Sequence, residues 1–483
     1  MHIFRILSIA HYVSVISSLF TRFPFKNTHK NLPTYIHPCP TPPTTPPFFH
    51  DDDEKDSLPN INGFFAMIGP NSISHRLSIP LSSLSLSLFD LFTGDGVIQG
   101  IFFHNHSLYS TNQYILTEKL IHELHFGKLP TNIWLLPFML ILHWLRVLPN
   151  ILGVSNTAIL KVKDKTYSLF ERDLPYLVDI NIPSKTIRTV QKQPIHGMRC
   201  VSGHSKYHSE IDEISSIEYD YMCQTVGLYK LDTNFSVLAH KTINVEYLPI
   251  THDYLVYGNY SECMLFCDSP FVIKGNNLWK GQIPIVLDHR RPTYIHTYNF
   301  TDGKHEKYKI SDNGYYIFHF SKVEITNDGK LEIYGSLYDK LDFNSIDIQG
   351  KYRKIEISLL DKEKNAIIYE NSEVETYNLD FPVSWNDTII LRNIETVNNE
   401  SRINGFLLMD GLNVKHELLY DNLSFSGEPA ICYDDKGEPY LISLAYNETT
   451  GFAILINLNK FEMIKKELLR KPTIGFHSIF ING

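Results

Sequence analysis

The chain has 483 residues, 43% of them hydrophobic and 20% charged, with a formal net charge of −9. That balance describes a globular protein with a large core, and the acidic excess without a long basic stripe excludes a nucleic-acid surface. Six cysteines (Cys39, Cys200, Cys223, Cys263, Cys267 and Cys432) are scattered with no CxxC pair, which excludes a disulfide framework and a thiolate zinc site and points to a reducing, cytoplasmic compartment. Length alone suggests several domains, but all-β barrels and propellers often reach this size as one unit.

In chain order, Ile3 to Phe20 is mostly apolar, interrupted by Arg5 and His11. It is short for a spanning helix and lacks a clean small-residue cleavage site, so a signal or anchor at 1–20 stays open. Seven prolines fall between Pro33 and Pro47, followed by the acidic run Asp51 to Asp56. Such a stretch buries too little apolar surface to order itself, so residues 1–57 read as a leader and a Pro-rich, acidic disordered segment. The folded body is expected over 58–483.

Ile133 to Leu152 is strongly apolar, with Pro137 and Pro149 near its ends and His143 and Arg146 inside. It reads either as a buried helix capping the sheets or as a patch dipping into one membrane leaflet, giving peripheral contact through 133–152. The prolines and Arg146 argue against a true span. From residue 155 onward the texture is short alternating runs, such as Leu331 to Tyr338, Lys354 to Leu360, Pro439 to Tyr446 and Phe452 to Leu458. Turn signals bound them, among them Asp302-Gly303, Asn313-Gly314, Asp328-Gly329 and Lys436-Gly437. Many strands without intervening helices mean an all-β fold, and their number favours a propeller over a single barrel. The 28 Tyr and 29 Phe suit strands and a pocket for a long apolar ligand.

With 22 histidines, composition selects no metal ligand. A series of local phrases, in order, does. Gly69-Pro70-Asn71, Phe92-Thr-Gly-Asp-Gly-Val-Ile-Gln-Gly100, Thr117-Glu118-Lys119, Asn156-Thr157-Ala158 and Glu171-Arg-Asp-Leu-Pro-Tyr176 resemble successive motifs of the carotenoid cleavage oxygenases. Gln99 stands where that family has His, and Met67-Ile68 where it has Arg-Asn. Four more phrases are similar to the family's histidine motifs: Ser202-Gly-His204-Ser-Lys206, Thr251-His252-Asp-Tyr254, Phe318-His319-Phe320 and Gly475-Phe476-His477. The resemblance covers roughly residues 62–483.

The resemblance implies a seven-bladed β-propeller with a helical cap over the iron face. It implies Fe(II) held by His204, His252, His319 and His477, with Glu171, Asp380 and Glu428 orienting the imidazoles. The ligand intervals are 48, 67 and 158 residues (252−204, 319−252, 477−319), which no local finger could use. Neutral imidazole suits Fe(II), and each ligand needs its second nitrogen oriented by a carboxylate or carbonyl. Asp380 is one methylene shorter than the glutamate of the family's Glu-Phe-Pro phrase, so it either reaches its histidine directly or does so through a water, holding it less firmly. His296, in His296-Thr-Tyr-Asn299, rivals His319 for the third position, whereas His106, His122, His125, His143 and His240 match no phrase.

The implied activity is oxidative cleavage by O2 of a conjugated double bond in a lipophilic polyene, a carotenoid or apocarotenoid. Stilbene cleavage, with Tyr114 and Lys128 as candidate binders of a phenol, is one alternative. A non-catalytic propeller that binds apolar ligands is another.

Overall fold

Alternating side chains become antiparallel strands wherever the turn signals allow reversal, as in the hairpin Lys330–Tyr338 with Lys351–Ser358 and in Pro439–Tyr446 with Gly451–Asn457. The structure is a computed structural model and describes residues 58–483 apart from 72–91, 105, 127–128, 130–134, 281, 345–347, 360–364 and 398–399. The expected leader and Pro-rich segment over 1–57, Cys39, Lys128 and the start of the apolar stretch at 133–134 lie outside the described residues.

Among the described residues, five four-stranded antiparallel sheets and one nine-stranded sheet follow one another along the chain, with a two-stranded hairpin, Phe271–Ile273 with Ile285–Leu287, between them. The nine-stranded sheet holds two meanders, one from Leu379–Trp385 to Asn413–Leu419 and one from Ala430–Tyr433 to Met463–Leu468, fused by the short strand Ser424–Phe425. The expected blade count of seven therefore turns on taking this sheet as two units.

Each unit packs its apolar face on the next. Phe64 and Ile98 meet Tyr176 and Val178; Leu160 and Tyr167 meet Ile214 and Leu231; Ile217 and Leu228 meet Met264 and Phe266. The series continues with Leu265 and Ile295 against Ile333 and Ile355, then Tyr352 against Leu391 and Leu407. Phe406 against Ile454, and finally Leu455 and Ile442 against Phe65 and Ile101, bring it back to the start. The circuit is closed by backbone hydrogen bonds too, because the last strand, Ser478–Asn482, pairs antiparallel with Gly63–Pro70. The architecture is the expected all-β, propeller-like one, and closure buries the apolar sheet faces that an open array would leave exposed at its two ends.

Helices are few among the described residues: Glu118–Phe126, Leu136–Trp144 and Gly275–Trp279. Among the described side chains of Leu136–Trp144, Met139 and Leu142 are buried, against Leu129 and Ile151. Phe138, Ile141 and Trp144 are exposed, Trp144 by 78%. The helix is thus half of the buried cap anticipated for this segment. Among the described residues no helix is long and apolar enough to cross a membrane. Cys200, Cys223, Cys263, Cys267 and Cys432 are all free thiols; Cys263 and Cys267 share the strand Cys263–Asp268 without bridging.

Candidate metal centre

The closed ring brings the edge strands of four sheets together, and each delivers one histidine. His204 precedes the edge strand Lys206–His208, His252 precedes Tyr254–Tyr257, His319 lies within Tyr316–Ile325, and His477 precedes Ser478–Asn482. Their candidate donor nitrogens all lie within 4.8 Å of one another. His204 Nε2 and His252 Nε2 are 3.0 Å apart, and the His204 ring stands nearly perpendicular to that of His477, centroids 4.4 Å apart. His296 is not part of this group. It sits in the neighbouring strand Thr293–Asn299, stacked on Phe266, its Nδ1 3.0 Å from His305 Nε2 and its Nε2 3.4 Å from Asp268. His106, His122, His125, His143 and His240 do not join the group either.

Three of the four imidazoles have a carboxylate behind them. His252 Nδ1 lies 2.5 Å from Glu171 Oε1, His319 Nδ1 lies 2.9 Å from Asp380 Oδ1, and His477 Nδ1 lies 3.3 Å from Glu428 Oε1. An Nδ1–H donated to a carboxylate leaves Nε2 with its lone pair free, the tautomer a metal requires. No carboxylate among the described residues pairs with His204. Its loop is instead held by its own backbone N–H, which donates to Ser202 Oγ at 3.0 Å. Gly203 lets this loop lie against Glu171, because a Cβ there would come within 2.7 Å of Thr157 Cγ2 and 3.1 Å of Glu171 Cδ.

Of the two possibilities for Asp380, the direct one holds: it reaches His319 despite its shorter side chain. The strand Leu379–Trp385 slips register between Asp380 and Val383, and Phe381 takes a left-handed φ of 60°. This kink carries the carboxylate inward. Tyr338 Oη donates to the other oxygen at 2.5 Å. The same kink turns the Phe381 ring onto His319 and His477, at centroid distances of 4.4 and 4.8 Å, with the Arg392 guanidinium 3.6 Å above it.

Burial, then mutual repulsion from His477, His252 and His319, holds His204 well below its ordinary pKa, so it is neutral. Burial also lowers His319 against the opposing pull of Asp380. For His252 burial is outweighed by Glu171, which raises it; reciprocally, burial of Glu171 is outweighed by His252 and its carboxyl stays ionised.

Does this donor set fit a metal? His319 Nε2 is buried and has no hydrogen-bond partner, a state that costs about 1–3 kcal/mol unless something fills it. Four neutral-capable imidazole nitrogens around one point, three of them oriented from behind, suit a borderline divalent transition ion. The residues fit.

The group opens on a cavity of about 780 Å3, counting its open mouth, walled by Phe92, Phe318, Phe381 and Phe476 and by Ile394, Ile403 and Ile474. His252, His319 and His477 line it, and Arg392 and Asp380 are its charged members. Tyr114 does not line it. That side chain is fully buried and donates to Asn71 Oδ1 at 3.2 Å, so the phenol-binding role considered for it is not supported. Gln99, another departure from the family phrases, donates from Nε2 to Thr473 O at 2.8 Å and accepts the Thr473 N–H at 2.9 Å on Oε1.

A closed ring of antiparallel sheets that gathers four histidines over an apolar cavity defines a propeller-like protein with a candidate metal centre. The chain belongs to the Retinal pigment epithelial membrane protein family, the carotenoid cleavage oxygenases, whose model matches residues 58–391. Among curated proteins it is similar to a carotenoid 9,10(9',10')-cleavage dioxygenase of Crocus sativus, 24% identical over 270 residues. That match takes in 50% of this chain but only 43% of the relative, so the chain spans less than half of that protein's length. Among solved structures it is similar to Pseudomonas brassicacearum lignostilbene dioxygenase, with a TM-score of 0.75 at 14% identity over 95% of this chain and 100% of that one. A variant of Synechocystis apocarotenoid oxygenase gives a TM-score of 0.71 at 15% identity, covering 93% and 98%. The cobalt-substituted Synechocystis enzyme gives 0.69 at 14%, over 93% and 98%. These likenesses establish the fold.

Proposed function

We propose that the chain is a non-haem Fe(II) dioxygenase that cleaves a conjugated double bond of a carotenoid or apocarotenoid. O2 adds across the bond, each carbon leaves with one oxygen as an aldehyde or ketone, and the substrate's own electrons reduce O2, so no external reductant enters. Bound by His204, His252, His319 and His477, Fe(II) would supply O2 activation. Glu171, Asp380 and Glu428 hold three imidazoles in the ligating tautomer. Phe92, Phe318 and Phe476 offer flat apolar faces to a polyene and keep water from it.

The observation that carries this reading is the convergence of four ring nitrogens within 4.8 Å at the wall of an apolar cavity, in a chain of this family. Its test is the iron content of protein purified anaerobically, wild type beside His252→Ala, followed by carotenoid, apocarotenoid and stilbene substrates. Near one iron per chain, lost in the variant, and polyene cleavage support it. Absence of iron after Fe(II) reconstitution leaves a non-catalytic, ligand-binding propeller. Cleavage of stilbenes alone moves the substrate class to phenols, which Tyr114 is too deeply buried to bind.

The same reading makes the protein cytoplasmic and peripherally bound to membranes. Exposed Phe138, Ile141, Trp144 and Leu145 support it, as an apolar face through which a lipid-soluble substrate could be drawn. Co-flotation with liposomes, weakened by Ile141→Ser with Trp144→Ser, tests it.

A further inference from the structure

We propose that Asp253 is the positioning residue of the four-histidine centre, a single carboxylate that fixes three of the four ligand-bearing segments against one another. The inference rests on the reading that this centre holds a metal. Asp253 is 4% exposed and spends both oxygens. Oδ1 accepts the Tyr254 N–H at 2.8 Å and the Lys206 ammonium at 2.7 Å; Oδ2 accepts the Phe320 N–H at 3.0 Å. These donors lie two residues beyond His204, two beyond His252 and one beyond His319.

The three segments belong to three different sheets, so no ladder of backbone hydrogen bonds sets their relative positions. The strand carrying His319 slips register on both sides of Phe320, and there Asp253 takes up the Phe320 N–H. Lys206 lies over the Tyr254 ring, 4.6 Å from its centroid, and also reaches the His204 carbonyl at 3.5 Å. A charged acceptor shared by three donors is stiffer than three separate contacts, and a metal centre loses affinity steeply when its donors drift. Asn at this position has one acceptor oxygen for three donors.

The test is a Co(II) titration of the full chain against a competing chelator, with the visible absorption of bound Co(II) recorded. Wild type, Asp253→Asn and Lys206→Met are compared, each with its thermal midpoint. Asp253→Asn should bind Co(II) roughly 10–100-fold more weakly, the scale seen when an outer partner of a metal ligand is removed. Its Co(II) bands should shift, and Lys206→Met should move the same way by less. A loss of general stability alone would lower the midpoint and leave the bands of bound Co(II) in place. Unchanged affinity and bands in folded Asp253→Asn overturn the proposal. If that variant does not fold, unchanged values in Lys206→Met do so. A wild-type chain that takes up no Co(II) sinks the metal-centre reading itself, and this inference with it.

Discussion

Asp380 stands between His319 and Tyr338, one oxygen 2.9 Å from the imidazole and the other 2.5 Å from the phenol. All three groups are buried, so these bonds replace the water that each would otherwise have. Burial is outweighed by His319, which keeps the Asp380 carboxyl ionised; burial and then Asp380 push the Tyr338 phenol well above its ordinary value, so it donates. Asp380→Ala orphans an imidazole N–H and a hydroxyl, each worth about 1–3 kcal/mol when buried without a partner. The expected result is a lower thermal midpoint in the metal-free chain and metal binding weakened roughly tenfold or more. Asp380→Glu, although it restores the family's residue, adds a methylene where the kinked strand has already closed the distance, and overpacking typically costs about 1–3 kcal/mol. Recovery of full stability and affinity by the glutamate would contradict the account of the kink.

The metal-free protein should lose stability on acidification. His204 and His319 are held below the ordinary 6.5, so as pH falls through that value the unfolded chain takes up protons that the folded chain refuses. Their contribution is complete above 6.5 and drains away below it, at up to about 1.4 kcal/mol per pH unit for each excess proton. His252 runs the other way: raised beside Glu171, its contribution is present below 6.5 and lost as pH rises through its folded value. Two lowered groups, one of them strongly, outweigh it. Chemical denaturation of apo protein between pH 7 and 5 checks this, and a flat profile would be inconsistent with neutral, clustered imidazoles. His204→Gln should shallow the slope.

His296 and His319 were rivals for one position, and they part cleanly in experiment. His319→Ala removes a nitrogen from the group of four and should abolish stoichiometric metal. His296→Ala removes a buried ring that stacks on Phe266 and faces Asp268, and it should cost stability, roughly 1–3 kcal/mol, while metal content stays at the wild-type level. Elemental analysis beside thermal unfolding separates the two effects. Metal loss in His296→Ala at full folding would reopen the assignment.

The histidines were legible because each sits in a phrase whose neighbours could be matched, and the ring of sheets then brings those phrases together. What the pattern hid was geometry. A register slip and a left-handed Phe381 decide whether Asp380 reaches, and neither has a signature in residue type, since Phe is a poor indicator of positive φ. Asp253 was visible as the residue after His252, yet its partner Lys206 is 47 residues away and Phe320 is 67 away, so only the assembled ring shows what it joins. The phenol-binding role for Tyr114 had no such phrase behind it, and the fold buries that side chain against Asn71. The apolar stretch from 133 reads as either buried or membrane-facing; the helix within it buries Met139 and Leu142 and leaves Phe138, Ile141 and Trp144 exposed.

Gln99 replaces the family's histidine, and its amide closes a reciprocal pair with the Thr473 backbone, four residues before His477. Both side chains are buried, Gln99 at 5% and Thr473 at 3% exposure, so water cannot take over either bond. Gln99→Ala therefore leaves a buried N–H and a carbonyl unmet and should destabilise the chain by about 2 kcal/mol or more. Because Thr473 leads into the His477 segment, the loss should appear there as local opening before global unfolding. Hydrogen exchange would show faster labelling across 473–478 in Gln99→Ala, with the strand Pro439–Tyr446 unchanged. Glu428 accepts the Ser478 N–H at 2.9 Å on the far side of His477 and should keep metal bound, though more weakly than in wild type. Gln99→His could offer one ring donor but not the paired acceptor in the same plane, so it should recover only part of the stability. Full recovery by histidine would mean that the single donor to the Thr473 carbonyl carries the clamp.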